Sequence, residues 1–177
     1  MLKTLLYATT FILAQTCLGH AENAVGHKLI TIVTGSTDRA LNTSVWYPTD
    51  ETGSGTLVAD NPVWVGQAVL ENASVSSGQH PLVLLSHGFG GNWRNESWLA
   101  FTLAKNGYIV AAPDHPGTTT FDRDLAKAKL LNERPYDLSR VLDALLAERH
   151  IGYVFYSFAR IIESAKLPIR RIVAKIK

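Results

Sequence analysis

One glycine-rich stretch of this 177-residue chain has the residue types that best suit chemistry. Residues 86–91 read Ser-His-Gly-Phe-Gly-Gly, and they directly follow the continuous apolar run of residues 81–85. Glycines after a buried strand let the backbone turn sharply and leave N–H groups directed at a pocket. In acyl-transfer enzymes, such donors stabilise the oxyanion of the tetrahedral intermediate. The same residues also fit a tight strand-to-helix turn without chemistry, and spacing alone does not separate the two interpretations.

Other site chemistries find little support in the sequence. The turn does not match GxGxxG, and GxxxxGK[ST] is absent from the chain, so we expect no nucleotide and no other cofactor. Asp114 and His115 follow a second apolar run, but two ligands on turns make a weak metal site, so we expect no metal.

The elements around the glycine-rich stretch form a recognisable unit. Residues 81–85 have the pattern of a strand buried on both faces. Residues 96–106 predict a helix, with Asn95 as its N-cap and Gly107 as its stop. Residues 108–112 predict a second buried strand. A strand, a glycine turn, a helix and a strand make a βαβ unit, which indicates a parallel sheet covered by helices.

Weaker patterns extend this unit in both directions. Residues 51–80 are rich in Gly, Ser and Asn, and we interpret them as a long loop or an irregular insertion. Pro48 is expected to end the strand before them. The remaining predicted elements are strands at 27–34, 40–47 and 150–157, a helix at 136–149 opened by Pro135, a partly helical connection at 118–133 and a helix at 158–166.

Composition limits the class of protein. With 46% hydrophobic and 18% charged residues, the chain is of ordinary globular type and of a length for one domain. The net charge of +2 gives no argument for a nucleic-acid partner. Cys17 is the only cysteine, so no intrachain disulfide is possible. A lipoprotein is not favoured, because Thr16 precedes Cys17 where a small residue is usual.

The first 21 residues have the organisation of a cleavable signal peptide. Lys3 gives a positive start, residues 5–14 give a short apolar run, and Gly19-His20-Ala21 gives small residues for cleavage. The expected location is therefore secreted or periplasmic, with no transmembrane span in the mature chain. An uncleaved N-terminal anchor is the alternative, although the run is shorter than the ~20 apolar residues that a span needs.

Three motifs together carry a resemblance to a known family. They are LLSHGFGGNWR at 84–94, GYIVAAPDHPGTT at 107–119 and RPYDLSRVLDALL at 134–146. In this order they resemble the N-terminal half of secreted α/β-hydrolase esterases, of the dienelactone-hydrolase-like and platelet-activating-factor-acetylhydrolase-like groups. The Trp46-Tyr47-Pro48 strand end is similar as well, so that the resemblance covers roughly residues 27–150.

The resemblance implies a fold and a set of turn residues. The fold would be the N-terminal part of an α/β-hydrolase, a mostly parallel sheet with flanking helices, truncated after about five strands. It would occupy residues 22–160, followed by a basic tail at 161–177. The resemblance implies an oxyanion donor at the backbone N–H of Phe89 and a small-molecule ester or lipid as substrate. The turn would be shaped by His87, Gly88, Gly90 and Gly91.

The nucleophile of such enzymes lies in a GxSxG elbow, a pattern that this chain lacks. By position the resemblance puts Ser157 in the place of the nucleophile and the N–H of Phe158 in the place of the second oxyanion donor. Phe155, Ala159 and Arg160 stand where glycines are expected. An ordinary serine at a strand end is the alternative interpretation of Ser157.

The other two triad members should follow the serine in the order acid, then histidine. After Ser157 the sequence contains Glu163 but no Asp and no His. All histidines precede it: His20, His27, His80, His87, His115 and His150. We therefore expect an ester-hydrolase-family protein with little or no activity as this chain. The alternative is a non-catalytic secreted binding or structural domain.

Two expectations concern the C-terminal region. The strand at 150–157 would form an open edge of the sheet, which favours self-association. Residues 166–177 combine basic side chains with an apolar face at helical spacing, which is compatible with a membrane-surface helix. We prefer to interpret them as an end sequence unrelated to the family.

Overall fold

The computed structural model describes residues 23–33, 39–124, 126, 131–147 and 150, and residues 151–156 as backbone. The predicted signal peptide, Ser157, Phe158 and the basic tail lie outside the described residues. The strands are β1 Ala24–Ile32, β2 Leu41–Thr49, β3 Thr56–Val58, β4 Gln67–Glu71, β5 His80–Leu84, β6 Ile109–Pro113 and β7 Ile151–Tyr156. The helices are α1 Ser97–Lys105 and α2 Arg134–Leu145, with 3₁₀ turns at Trp93–Glu96 and Leu131–Glu133.

The described strands form one sheet in the order β3-β4-β1-β2-β6-β5-β7. Strands β6, β5 and β7 run parallel, and β4 is parallel to β1. The pairs β1–β2, β2–β6 and β3–β4 are antiparallel. The predicted α/β architecture is present, but the sheet is mixed, and its purely parallel part is the β6-β5-β7 region.

Residues 51–80 contain two strands, so the prediction of a loop or irregular insertion is wrong. β3 and β4 pair antiparallel, with Thr56 opposite Val69 and Val58 opposite Gln67. The chain reverses at Asn61, whose side-chain oxygen accepts from the N–H groups of Val63 and Trp64. Strands of three and five residues between turn formers leave too short a pattern to be recognised, and they bring the described sheet to seven strands instead of about five.

The predicted βαβ unit is confirmed. β5 and β6 are parallel, with Leu82 beside Ile109 and Leu84 beside Ala111. The start of the helical region differs from the prediction, because a 3₁₀ turn precedes α1. Asn92 caps this turn by accepting from the N–H of Arg94, and the predicted cap Asn95 completes the capping box from the third position.

The core lies on both faces of the sheet. Successive residues of a strand point to opposite faces, so Tyr47 packs in the cluster that includes Val141 of α2, and Trp46 packs in the cluster that includes Ala100 of α1. Pro48 pairs with Val25 and lies within β2, so the prediction that the strand ends there is wrong. Neither described helix is long and apolar enough to cross a bilayer.

Candidate functional site

The candidate site lies where β5 and β6 end side by side. We call residues 86–91, which follow β5, the glycine turn. Its Gly90 N–H donates to the carbonyl of Thr118 in the connection after β6, at 2.8 Å, and its Gly91 carbonyl accepts from the N–H of Thr120 at 3.0 Å. The carboxyl ends of parallel strands are the usual ligand-binding edge of α/β sheets. The two connections are thus hydrogen-bonded to each other at that edge.

His87 is a buried part of the turn, with 2% of its surface exposed. Its Nδ1 lies 2.7 Å from the carbonyl oxygen of Gly88, and its Nε2 lies 3.2 Å from the backbone nitrogen of His115. The tautomer that satisfies both contacts donates from Nδ1 and accepts at Nε2, which is an assignment from the hydrogen-bond pattern. Burial lowers the pKa of His87 to about 4, so the ring is neutral at pH 7.

Arg134 contacts the glycine turn through its side chain. It is the first residue of α2, and its guanidinium donates to the carbonyl of His87. The same Nη2 lies 3.4 Å from Ser86 Oγ. Pro135 at the second helical position favours the helical backbone here, because its φ is already restricted. The start of α2 therefore brings a cation, 7% exposed, against the glycine turn.

Ser86, His115 and Asp137 form a hydrogen-bonded chain. Ser86 Oγ lies 3.0 Å from His115 Nε2, and His115 Nδ1 lies 2.9 Å from Asp137 Oδ2. This is the nucleophile–base–acid relation found in serine hydrolases. Its order along the chain is serine, histidine, acid, which differs from the order of the α/β-hydrolases.

Asp137 has cationic partners besides His115. Arg39 binds it with two hydrogen bonds, Nε to Oδ1 at 2.8 Å and Nη2 to Oδ2 at 2.6 Å, and Arg140 donates to Oδ1. Burial alone would raise the pKa of Asp137, but the hydrogen bonds from His115 and Arg39 outweigh it and lower that pKa. Burial lowers the pKa of His115 in spite of its bond to Asp137. The network thus combines a carboxylate, two guanidinium groups and a neutral histidine.

The burial of His115 and Asp137 limits the contact that these side chains can make with a substrate. The side chains of His115 and Asp137 have no exposed surface. The Ser86 hydroxyl is also close to the Arg134 guanidinium, which can donate to the oxygen lone pairs that a nucleophile uses for attack. A general base must reach the reacting proton in a substrate complex. The arrangement is therefore suited to holding the strand ends and α2 together more than to meeting a substrate.

The rim of the glycine turn is exposed and partly aromatic. The side chain of Phe89 is 63% exposed, and that of Phe121 is 79% exposed. The Arg94 guanidinium lies 4.3 Å from the centroid of the Trp93 ring. Near this rim, burial raises the pKa of Glu96 to about 7, although the charge of Arg134 opposes that shift. Glu96 Oε2 is buried and has no hydrogen-bond partner among the described residues.

The structure brings together the predicted turn residues, and glycine is favoured at two of them, by a positive φ or by a close contact. Gly90 has φ +77°, and a Cβ on Gly91 would lie 3.2 Å from the carbonyl oxygen of Gly88. The role of Phe89 as an oxyanion donor stays a prediction. The candidates Ser157 and Phe158 lie outside the described residues.

The sequence did not indicate that Ser86, Arg134 and Asp137 belong to the hydrogen-bonded network of the site. A signal was available, because Asp137 stands four residues before Val141, on the face of α2 that carries the apolar stripe. A charged residue on that face must be paired when it is buried. Asp114 Oδ1 accepts a hydrogen bond from the N–H of Trp93 at 2.9 Å. Within the described ranges, no group of three or more His, Cys, Asp or Glu side chains is arranged for a metal.

Comparisons with known proteins agree with this architecture. The sequence profile of the family described as platelet-activating factor acetylhydrolase, isoform II, matches residues 64–141, which include the glycine turn and Asp137. The structure is similar to that of a ferulic acid esterase from Streptomyces cinnamoneus, with a TM-score of 0.64 and 22% sequence identity. That match covers 75% of this chain and 51% of the esterase, so the chain spans about half the length of that protein. No curated protein matches the sequence significantly.

Proposed function

We propose that this chain is a carboxylic-ester-hydrolase-family protein, of the α/β-hydrolase type that includes the platelet-activating factor acetylhydrolases. The observation that carries the proposal is the glycine turn at the carboxyl ends of β5 and β6, held by His87 and Arg134 and open on its Phe89 side. The substrate would be a small-molecule ester or a lipid ester. The turn would stabilise the negative charge that forms on the carbonyl oxygen during acyl transfer.

We further propose that the chain has little or no turnover of its own. The serine that aligns with the family nucleophile is Ser157, and no GxSxG surrounds it. The sequence after it contains no histidine to act as a general base, without which a serine hydroxyl is a weak nucleophile. By the resemblance of its motifs, the chain would correspond to the N-terminal part of such an esterase; the structural match covers 51% of the neighbouring esterase.

Hydrolysis of p-nitrophenyl acetate, together with labelling by a fluorophosphonate probe, tests both proposals. We expect hydrolysis close to the background rate and no serine labelled. Ser157→Ala and Ser86→Ala, with the exposed Ser54→Ala as control, should then change nothing. Robust turnover that is lost in Ser157→Ala would overturn the proposal of low activity and confirm the esterase. Mass spectrometry that finds the label on Ser86 would give the buried chain of groups a catalytic role instead.

A second candidate function is a non-catalytic binding or structural domain. It is favoured by the complete burial of His115 and Asp137, the base and the acid of the described Ser–His–Asp arrangement. Joining the chain to the C-terminal half of a related esterase distinguishes the two candidates. Restored hydrolysis supports the esterase, whereas a folded but inactive fusion supports the binding domain.

We propose that the protein is exported to the periplasm or secreted, since the first 21 residues have signal-peptide organisation. N-terminal sequencing of the fractionated protein should find a mature form that begins near Glu22. A soluble cytoplasmic form that retains Met1 would contradict export.

We also propose that the chain self-associates through β7. This strand pairs with β5 and stands at the end of the described strand order. A strand edge with free N–H and C=O groups is a template for further pairing. Size-exclusion chromatography at several concentrations should show dimers or larger species. A monomer at every concentration would contradict the proposal.

A further inference from the structure

A cleft of about 380 Å³ lies at the edge of the sheet opposite the glycine turn. Here β1 starts beside the end of β2, with Ala24 opposite Thr49. Because β2 runs antiparallel to β6, this end of β2 lies at the amino end of β6, whereas the glycine turn follows the carboxyl end of β5. The last residue of α1, Lys105, reaches the same edge, where its carbonyl accepts from the N–H of Asn23 at 3.2 Å. The cleft is therefore separate from the candidate site.

The inner surface of this cleft is apolar. Val25 and Val69 belong to the core and are 4% and 1% exposed, and Ala68, Leu70 and Phe101 complete the surface. Ligand-binding clefts usually have volumes of roughly 300–1,000 Å³, so the volume of this one is in the ordinary range. At about 30 Å³ for each water molecule, it corresponds to a ligand of about a dozen non-hydrogen atoms.

The wall of the cleft is the segment 51–55, which follows β2 and lies against β4. Two glycines of the segment make this approach possible. A Cβ on Gly55 would lie 3.1 Å from Cβ of Ala68, and a Cβ on Gly53 would lie 3.4 Å from Cδ2 of Leu70. The contact at Gly53 is an ordinary van der Waals contact. A larger side chain at Gly53 would therefore extend over Leu70 and fill part of the cleft.

The rim of the cleft carries one carboxylate and one ammonium group. Glu51 Oε1 accepts from the N–H of Ser74 at 2.6 Å, and this bond lowers the pKa of the carboxyl, which is ionised at pH 7. Lys105 Nζ lies 5.7 Å from the centroid of the Phe101 ring, beside the apolar surface. A ligand with a single charge is attracted by one of these groups and repelled by the other. A ligand with both charges is complementary to both.

We propose that this cleft is a second binding site, which takes a small zwitterion with an apolar body: an apolar amino acid or a dipeptide of such amino acids. The apolar body would lie on Val69, Leu70 and Phe101, with the ammonium group of the ligand toward Glu51 and its carboxylate toward Lys105. Burial of the apolar body supplies affinity, and the two charges supply selectivity. The site lies away from the glycine turn, so the proposal goes beyond the ester chemistry and does not depend on it.

Nuclear magnetic resonance of the ¹⁵N-labelled protein, titrated with L-phenylalanine and with alanyl-valine, tests the site directly. We expect at least one of these zwitterions to shift the amide signals of Ala68 and Leu70 until they saturate, while the amide of Gly90 in the glycine turn stays in place. N-acetylphenylalanine lacks the ammonium group, and phenylalanine amide lacks the carboxylate. Each should bind about fivefold more weakly than phenylalanine, the upper range for an ion pair at an exposed position.

Two variants with matched controls test the wall and the rim. Gly53→Leu fills the cleft and should abolish the shifts, whereas Ser54→Leu places the same side chain one residue along, outside the lining, and should leave them unchanged. Glu51→Gln should weaken binding by about fivefold. Asp50→Asn is its control, because Asp50 accepts from the N–H of Ser77 at 3.1 Å in a similar way but does not line the cleft.

Three results would overturn the proposal. The first is a titration of the unmodified protein in which neither zwitterion moves the Ala68 and Leu70 amides; this result does not depend on any variant folding. The second is a folded Gly53→Leu variant that binds as tightly as the unmodified protein. The third is a ligand with one charge that binds as tightly as phenylalanine. No ester is used in these titrations, so the ester proposal is decided only by its own assay.

Discussion

Asp137 Oδ2 lies 2.9 Å from His115 Nδ1, and this bond joins α2 to the connection after β6 at a point where neither side chain has exposed surface. Arg39, which precedes β2, binds the same carboxylate with two hydrogen bonds. One carboxylate thus holds three separate parts of the chain at the edge of the sheet. The glycine turn depends on it indirectly, because His115 also donates to His87.

Replacing the anchoring carboxylate should be costly. Asp137→Asn keeps the size of the side chain but removes the charge that balances Arg39 and Arg140. Breaking a buried ion pair from one side usually costs about 3–5 kcal/mol, so the free energy of unfolding should fall by about that amount. Urea unfolding followed by circular dichroism measures it. The matched control is Glu71→Gln at an exposed position, and equal stabilities of the two variants would show that the network is not an anchor.

The buried His27 should make stability fall in acid. Its ring lies 2.6 Å from Ser44 Oγ, and burial lowers its pKa from 6.5 to about 4. Above pH 6.5 the ring is neutral in both states, so the stability is complete there; as the pH falls toward 4, the unfolded chain takes up the proton first and the stability declines. The slope is about 1.4 kcal/mol per pH unit. Between pH 7.5 and pH 5, His27→Gln should therefore lose about 2 kcal/mol less than the unmodified protein, and equal losses would contradict the lowered pKa.

The buried Glu96 should make the stability of the fold fall as the pH rises. Burial raises its pKa to about 7, so its carboxyl binds a proton more tightly in the folded state than in the unfolded chain. Its contribution is complete below its ordinary pKa of 4.5 and is lost as the pH rises through 7. Glu96→Gln replaces the carboxyl with a neutral group of similar shape and should raise the midpoint of thermal unfolding at pH 8 but hardly change it at pH 4.5. A variant that is less stable at pH 8 would mean that the electrostatic attraction between Glu96 and Arg134 outweighs the cost of burying the carboxylate.

The sequence predicted the elements whose patterns are long and continuous. The apolar runs of β5 and β6 are such patterns, and so is the spacing of Leu138, Val141, Leu142 and Leu145 in α2. The helix between the strands ends at Lys105, two residues before the predicted stop at Gly107, whose φ is +89°. The strands β3 and β4 were missed because three and five residues are too few to establish an alternation. The sequence predicts that the strand ends at Pro48, but β2 continues to Thr49; the pairing of β2 with β6 stops at Trp46, so Pro48 has a strand partner on one side only and a proline is tolerated.

Of the candidate site, the sequence predicted only the glycine turn. The glycine turn is contiguous in sequence, so its residue types indicate its shape. Arg134 is 47 residues from the carbonyl that it binds, and no spacing rule connects the two. Asp137 likewise reaches Arg39 across 98 residues. These contacts depend on which strands become neighbours, which a single sequence does not specify.

Gly26 in β1 should not tolerate a side chain. It stands opposite Tyr47 in the β1–β2 pair, and a Cβ on it would lie 2.2 Å from Cε2 of that ring. The ring has little room to move away, because it is 1% exposed and its hydroxyl donates to the carbonyl of Ala73 at 2.8 Å. Overpacking of a core commonly costs about 1–3 kcal/mol, so Gly26→Ala should destabilise the fold by about that amount.

A double-mutant cycle separates the contact with the ring from a general effect of alanine in the strand. Tyr47→Val removes the ring, so that Gly26→Ala should cost much less in that background, and the difference is the coupling energy. Gly88→Ala is the matched control for stability, because a Cβ there meets no atom within 4 Å. Thermal unfolding of the unmodified protein, the two single variants, the double variant and the control measures these differences. If Gly26→Ala costs as much without the ring as with it, the close approach of Tyr47 is not the reason for glycine at this position.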